Sequence, residues 1–180
     1  MAVIRLNQIG TNQYAKTKAI NKKIARTRRQ RGYTWEDTLV KRFNAVKYWK
    51  AFRLGSPSVA LPDVLAVNNP KSTIFTIEAK SGTGTTLQVP FDQIERCLNW
   101  VNNFQIYQNR EVVLAFKFLS KKRIGVGTYE KRELHEFYKV WDKAKKPIDF
   151  VCTYDGRTYA LKNGKQKRLV LKDFFMPFKS

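Results

Sequence analysis

Two apolar, β-branched segments joined by a short turn place the strongest constraint on how this chain can fold. Residues 60–67 have the sequence ALPDVLAV, residues 73–80 have the sequence TIFTIEAK, and the Asn-Asn-Pro-Lys-Ser stretch between them is typical of a turn. The two segments therefore predict a hairpin of neighbouring strands. Alternation in the second strand predicts two sets of side chains, one on each face: Ile74, Thr76, Glu78 and Lys80 on one, and Phe75, Ile77 and Ala79 on the other.

Apolar residues at helical spacing predict two helices beside this hairpin, over about residues 35–49 and 91–104. Thr34 is placed to cap the first of them. The remaining elements are predicted to be short strands over 50–54, 87–89 and 123–128, a buried strand over 111–118, and a third helix over 130–143. The predicted fold class is α/β, with a central mixed β-sheet flanked by helices.

The two ends of the chain differ from its centre in composition. Residues 1–32 contain nine Lys and Arg residues and no acid, which predicts a basic N-terminal arm that is at least partly disordered when free. Residues 148–180 contain short β segments separated by Asp155-Gly156 and Asn163-Gly164, both typical of two-residue hairpin turns. We therefore predict an arm at 1–32, a core at 33–147, and a C-terminal β-meander at 148–180 that packs on the core.

The net charge points to a polyanionic partner. The chain has 35 Lys and Arg against 14 Asp and Glu, a formal charge of +21, and nucleic acid is the first candidate because such charges displace condensed counterions from phosphates. The sequence has no basic amphipathic helix at a terminus and no long apolar run, so it does not predict a membrane partner. The lack of an apolar signal segment and of a cysteine framework predicts a cytoplasmic, DNA-associated protein.

The acidic residues are more informative than the basic ones. The 54 positions from 38 to 91 contain only two carboxylates, Asp63 and Glu78. A phosphate-binding surface should avoid acids, because each acid repels the ligand. Two isolated acids therefore need a reason: either structural ion pairs or the binding of a divalent cation against the phosphate.

Adjacent strands can bring Asp63 beside Glu78, and period-two alternation puts Lys80 on the same face as Glu78. Two carboxylates can hold Mg²⁺, for which Mn²⁺ can substitute, and the ion activates water and polarises a phosphate. A nearby ammonium offsets charge that develops in the transition state. Glu36, at the edge of the apolar stripe of the first helix, can reach the same ion. The alternative is structural: Asp63 caps a turn, and Glu78 and Lys80 form a salt bridge.

These residues resemble a known family. Pro62-Asp63 followed by Glu78-Ala79-Lys80, with Glu36 on the preceding helix, is similar to the PD-(D/E)xK nuclease superfamily, and more narrowly to the archaeal-type Holliday junction resolvases. The similarity covers about residues 33–120, and the motifs occur in the family's order: Glu36, Gly55-Ser56, Leu61–Ala66, Ile77–Ser81, Gln93 and Ala115–Phe118. The longer arm at 1–32 and the extension beyond residue 120 depart from the family pattern.

The resemblance implies a role for each matching residue and a restriction-endonuclease-like sheet. Glu36, Asp63 and Glu78 would be metal-site acids, Lys80 the catalytic lysine, Ser56 a phosphate-contacting loop serine with Ser58 as the alternative match, and Gln93 a neighbour of the metal. The residues predicted to contact DNA are Arg26, Arg28, Arg29, Arg31, Arg53, Ser58 and Ser81. Either Lys80 or a substrate phosphate could accept the proton from the attacking water.

The resemblance further implies an endodeoxyribonuclease that resolves four-way DNA junctions in recombination and repair, leaves 5′-phosphate ends and uses no small-molecule cofactor. Symmetric cutting of two strands needs two active sites, so a homodimer is expected. Two alternatives stay open. One is a restriction-like or repair endonuclease of the same superfamily that acts on duplex or flap DNA. The other is a non-catalytic basic protein that binds DNA or RNA.

Overall fold

The computed structural model describes residues 4–55 and 60–178. Two helices lie within them, α1 (Ile4–Asn44) and α2 (Phe91–Asn103). The strands of the described residues are β1 (Lys50–Arg53), β2 (Val64–Asn68), β3 (Thr73–Gly82), β4 (Thr86–Val89), β5 (Asn109–Phe118), β6 (Lys121–Arg123), β7 (Tyr129–Lys131), β8 (His135–Trp141), β9 (Phe150–Thr153), β10 (Thr158–Lys162), β11 (Lys165–Arg168) and β12 (Lys172–Asp173).

A six-stranded mixed sheet forms the centre of the fold, in the order β1-β2-β3-β5-β8-β12. β2 and β3 form the predicted antiparallel hairpin, with Val64 opposite Ile77. β3 and β5 run parallel over their full length, and α2 is part of the connection between them. The remaining neighbours are antiparallel. The predicted α/β class and the central mixed sheet are therefore confirmed.

The two helices cover opposite faces of this sheet, as the alternation in β3 predicts. On one face, Trp35, Leu39 and Phe43 of α1 pack on Phe75, Ile77 and Ala79 of β3 and on neighbouring strands. On the other face, Ile94, Cys97, Leu98 and Val101 of α2 pack on Ile74 of β3 and on Val112, Leu114 and Phe116 of β5. A strand buried on both faces needs apolar side chains at successive positions, and this explains the sequence of β5.

Helix α1 begins about 30 residues earlier than the sequence predicts, because residues 4–32 continue the same helix. The expectation of a partly disordered arm is therefore wrong for these residues. Residues 15–31 contain no Gly or Pro and are rich in Ala, Lys, Arg and Gln, which favour helix. Thr34 lies inside the helix, where its Oγ1 donates to the carbonyl of Gln30 (2.8 Å) instead of capping an N-terminus.

The C-terminal end of α1 is also displaced from the prediction, to Asn44. The Asn44 side chain turns back to β1, accepting from the Ala51 amide (2.8 Å) and donating to the Ala51 carbonyl (3.2 Å). Tyr48 then adopts a positive φ of 69°, which the helix could not accommodate.

The region from 121 to 141 contains the largest error of the sequence prediction. The predicted helix at 130–143 is β structure: β7 is followed by β8, which pairs antiparallel with β5. The predicted strand at 123–128 is largely a turn, and β6 and β7 flank it as a hairpin. The side chains of β8 alternate between the layers, with Tyr138 in the α1 core and Phe137 and Trp141 on the α2 side.

A second sheet has the order β11-β10-β9-β4. The predicted meander supplies three of its strands, and its first turn has Gly156 at a φ of +77°, where an added Cβ would lie 2.6 Å from the Phe137 ring. β4 comes from the central segment and β12 joins the main sheet, so residues 148–180 are more closely integrated than a simple appendage. Among the described residues, no helix has the length and apolar character needed to cross a membrane.

Candidate active site

Asp63 and Glu78 come together where the start of β2 lies beside the middle of β3. Asp63 immediately precedes β2, so this strand begins at Val64 and not at residue 60 as predicted. Val64 pairs with Ile77, and one further step of the same register places Asp63 beside Glu78. The Asp63 carboxylate is held in place because its Oδ2 accepts the Ala79 amide at 2.8 Å. Its main-chain carbonyl accepts the Leu54 amide at 2.9 Å, which holds the end of β1 beside it.

The carboxylate of Glu78 is fully buried between two cations. Its Oε1 lies 2.6 Å from Lys80 Nζ, and its Oε2 lies 3.1 Å from Arg96 Nη2. Lys80 is on the same face of β3, as alternation predicts, and Arg96 comes from α2. The salt bridge that was the structural alternative for Glu78 and Lys80 is therefore present, and it lies inside a cleft rather than on the surface.

Glu36 reaches the same cleft from α1. Its side chain is buried, and its Oε2 has no hydrogen-bond partner among the described residues. A Cβ added to Gly55 would lie 3.5 Å from Asp63 Oδ1 and 3.7 Å from Glu36 Oε2, so both carboxylates face the same small space beside this glycine. The absence of a side chain at residue 55 keeps that space open.

Burial and mutual repulsion raise the pKa of two of the acids. Burial is the largest cause for Glu36, the Asp63 charge adds to it, and the pKa rises to about 7. Burial also raises the pKa of Glu78 to about 7, although Lys80 and Arg96 oppose the shift. A bound cation would favour the ionised form of both groups.

The donor atoms of the cleft fit a hard divalent cation. The buried oxygens Glu36 Oε2 and Gln93 Oε1 lack partners, and an unpaired buried carboxylate oxygen is costly unless a cation compensates it. The described residues nevertheless contain no group of three or more His, Cys, Asp or Glu that is ready to hold a metal ion. Lys80 and Arg96 occupy the oxygens of Glu78, so metal binding by all three predicted acids would require these ion pairs to rearrange.

A comparison with protein families accounts for this arrangement. A family model described as archaeal Holliday junction resolvase (hjc) matches residues 27–153, well over half of the chain. This chain belongs to the archaeal Holliday junction resolvase family. Membership confirms the resemblance and the main functional prediction, that of an endonuclease that binds DNA and acts in recombination and repair.

A solved structure of the same family is similar to this resolvase. The 1.6 Å structure of Archaeoglobus fulgidus Hjc, a Holliday junction resolvase from an archaeal hyperthermophile, is 18% identical and has a TM-score of 0.44. The similarity covers 68% of this chain and 87% of that chain. A search of curated proteins finds no match.

The resolvase brings most of its predicted site residues to one cleft of about 410 Å³. The described residues that line it include these predicted ones: Glu36, Asp63, Glu78, Lys80, Gln93, Arg28, Arg29 and Ser81. Arg26 and Arg31 line a neighbouring cavity on α1. Arg53 lies apart from the lining, with its Nε 3.5 Å from Asp37 Oδ1 and its guanidinium over the Tyr33 ring. Ser56 and Ser58 lie outside the described residues.

Sequence reasoning missed Arg96. This residue lines the cleft and pairs with the central carboxylate of the resolvase, and its Nε is buried without a partner. The available signal was its spacing from Gln93, because residues three apart on a helix share a face. Gln93 was predicted at the site, so Arg96 should have been predicted there too.

Proposed function

We propose that this resolvase hydrolyses phosphodiester bonds of four-way DNA junctions at the cleft that contains Asp63, Glu78 and Lys80, with Mg²⁺ as cofactor. The observation that carries the proposal is the convergence of these three residues with Glu36 in one cleft, where the start of β2 lies beside β3. Two partnerless buried oxygens in the same cleft, on Glu36 and Gln93, support a cation there.

Glu36, Asp63 and Glu78 would hold the metal, with Gln93 beside it. The bound ion would lower the pKa of a water molecule and polarise the scissile phosphate. The protein residues do the remaining work. Lys80 is the cationic group of the cleft closest to Glu78, and its ammonium is placed to orient the attacking water and to offset transition-state charge. Arg28 and Arg29 line the same cleft and can hold the phosphate backbone.

The substrate and assembly follow from the reaction. Resolution of a four-way junction requires cuts in two strands, so we propose that a twofold homodimer supplies two of these clefts and leaves 5′-phosphate ends. The binding of phosphates without base contacts would give weak sequence preference. An intracellular, DNA-associated location follows from this substrate.

The test is cleavage of a synthetic four-way junction, with a linear duplex and a flap of the same sequence as controls. We expect Mg²⁺-dependent paired cuts in the junction and far slower cutting of the other substrates. Asp63→Asn should abolish cleavage while junction binding persists, because it removes a metal-site charge but leaves the basic surface intact. Equal cleavage of duplex DNA would identify a general or flap endonuclease instead.

Asp142→Asn is the matched control. Asp142 is an exposed acid that follows β8, its carboxylate pairs with Lys145, and it is not among the described residues that line the cleft. We expect this variant to cleave junctions at the wild-type rate. Wild-type cleavage by Asp63→Asn would contradict the assigned site.

A further inference from the structure

A groove continues from the active-site cleft along α1. It consists of two adjoining cavities, of about 570 and 720 Å³, and both are lined by Lys23, Thr27 and Arg31 of α1 and by Ser81 at the end of β3. Ser81 also lines the active-site cleft. We call these two cavities the α1 groove. The shared wall at Ser81 makes the groove and the cleft adjacent parts of one surface.

The α1 groove has the chemistry of a phosphate-binding surface. The described residues that line it include no carboxylate. They include six cations: Lys23, Arg26, Arg28, Arg31, Lys117 and Arg123. The Gly-Thr segment 82–86 adds main-chain and hydroxyl donors, and Ser81 Oγ is buried without a partner. Lys and Arg side chains, hydroxyls and main-chain amides are the groups that contact DNA phosphates.

The β6–β7 hairpin forms part of the wall of the larger cavity of the groove, which α1 also lines. Its first strand is joined to the Gly-Thr segment, since the Arg123 amide donates to the Thr83 carbonyl at 3.0 Å. Arg132, just after β7, fixes the second strand by donating to the carbonyls of Gly84 (3.0 Å) and Leu119 (2.9 Å). The Arg132 guanidinium also lies 4.4 Å from the centre of the Tyr154 ring. The base of the hairpin is therefore held in a defined position.

The tip of this hairpin is apolar and exposed. Ile124 is 58% exposed and Val126 is 84% exposed, and Tyr129 is partly exposed at the start of β7. Val126 and Tyr129 line the α1 groove beside Arg123. Apolar side chains beside a strongly basic groove suit a partner that presents both phosphates and hydrophobic surface. Unstacked bases meet both requirements, and DNA-bending proteins insert apolar side chains at base steps.

We propose that the α1 groove holds the backbone of one junction strand and that the hairpin tip, Ile124 and Val126, contacts unstacked bases at the branch point. The basic lining selects DNA over a protein partner. The inference rests on the proposed function for its branched substrate. It adds a residue-level basis for junction preference that a phosphate-binding surface alone does not supply, because all DNA presents phosphates.

The experiment measures binding in an Asp63→Asn background, so that cleavage does not interfere. A four-way junction and a linear duplex carry 2-aminopurine at the same position, which is at the branch point in the junction. The test variant is the double substitution Ile124→Ser/Val126→Ser. The matched control is Ile106→Ser, a residue that is 82% exposed and lies between α2 and β5, at the opposite end of β3 and β5 from the cleft.

We expect the double variant to lose about tenfold of the junction-over-duplex preference, on the scale of one lost base contact. It should also lose the fluorescence increase at the branch point, while the control keeps both. Unchanged preference, or equal weakening on junction and duplex, would overturn the inference, provided that the melting temperature of the variant matches the control. If the wild type does not cut junctions but the tip substitutions still remove the fluorescence increase, the proposed function is overturned and the inference about the hairpin stands.

Discussion

Arg96 Nη2 lies 3.1 Å from Oε2 of Glu78, and the two side chains form a pair at the floor of the cleft. Glu78 is fully buried, and among the described residues its charge is compensated by Arg96 and, on its other oxygen, by Lys80. Arg96 therefore has a structural task in the metal-free protein, the neutralisation of a carboxylate that water cannot reach.

The first prediction concerns this pair. Arg96→Gln should destabilise the metal-free protein by about 1–3 kcal/mol at pH 8, because Glu78 loses one of two charged hydrogen-bond partners in a buried site. Urea unfolding in the presence of EDTA measures the loss. Arg96→Lys, which keeps the charge, should lose less. An unchanged unfolding midpoint in Arg96→Gln would mean that Lys80 alone compensates Glu78.

The centre of the site could be predicted from the sequence because its geometry is local. Asp63, Glu78 and Lys80 lie on two strands joined by a five-residue turn, and period-two alternation fixes which of them share a face. The spacing of Arg96 from Gln93 indicates a shared face of α2, but the pairing of Arg96 with Glu78 depends on how α2 rotates against the sheet. That rotation is set by packing of Ile94 and Cys97, which the spacing of charges does not report.

The errors have a different cause. The segment His135–Trp141 has apolar residues at 137, 138, 140 and 141, a pattern compatible with a helical face and with a strand covered on both faces, and the edge of β5 decides between them by supplying a hydrogen-bonding partner. The charge of the N-terminal segment predicts an arm that is at least partly disordered when free. Its helix-favouring residues allow it to continue α1 without a break.

A second prediction concerns Gln93, whose Oε1 is buried without a partner. Gln93→Leu should keep or raise the metal-free melting temperature, because it removes an unsatisfied polar atom. It should also raise the Mg²⁺ concentration for half-maximal junction cleavage by about tenfold, on the scale of losing a group that supports a metal site. Asn99→Leu, at an exposed position of α2, is the control. A less stable variant with an unchanged Mg²⁺ requirement would assign Gln93 a purely structural role.

A third prediction concerns pH. Burial acts to raise the pKa of Glu136, but the hydrogen bonds from Arg42 (2.6 Å) and Tyr138 (2.9 Å) and the charge of Lys117 outweigh it, so the pKa is lowered. An acid whose pKa is lowered by folding stabilises the protein above its unfolded pKa of about 4.5, and this contribution disappears as the pH falls further.

Glu136→Gln should therefore be less stable than wild type at pH 7, by about 1–2 kcal/mol, with the difference shrinking below pH 4.5. Denaturant unfolding at pH 7, 5 and 3.5 measures this dependence. Glu95→Gln, which changes an exposed acid of α2, should show no such trend. A difference that is constant with pH would indicate a packing effect instead of a charge effect.

The last prediction separates the charge of the α1 groove from the apolar tip of its hairpin. Arg123 lines the groove, and its Nε donates to the Gly125 carbonyl at 3.1 Å. Arg123→Gln should weaken junction and duplex binding about equally and reduce the slope of log affinity against log salt by about 0.9, the value for one phosphate contact. Lys71→Gln, in the turn before β3 at the opposite end of the sheet, should leave the slope unchanged. If Arg123→Gln weakens binding of the junction but not of the duplex, Arg123 acts with Ile124 and Val126 at the branch point. If it weakens binding without changing the salt slope, Arg123 holds the hairpin in place and contacts no phosphate.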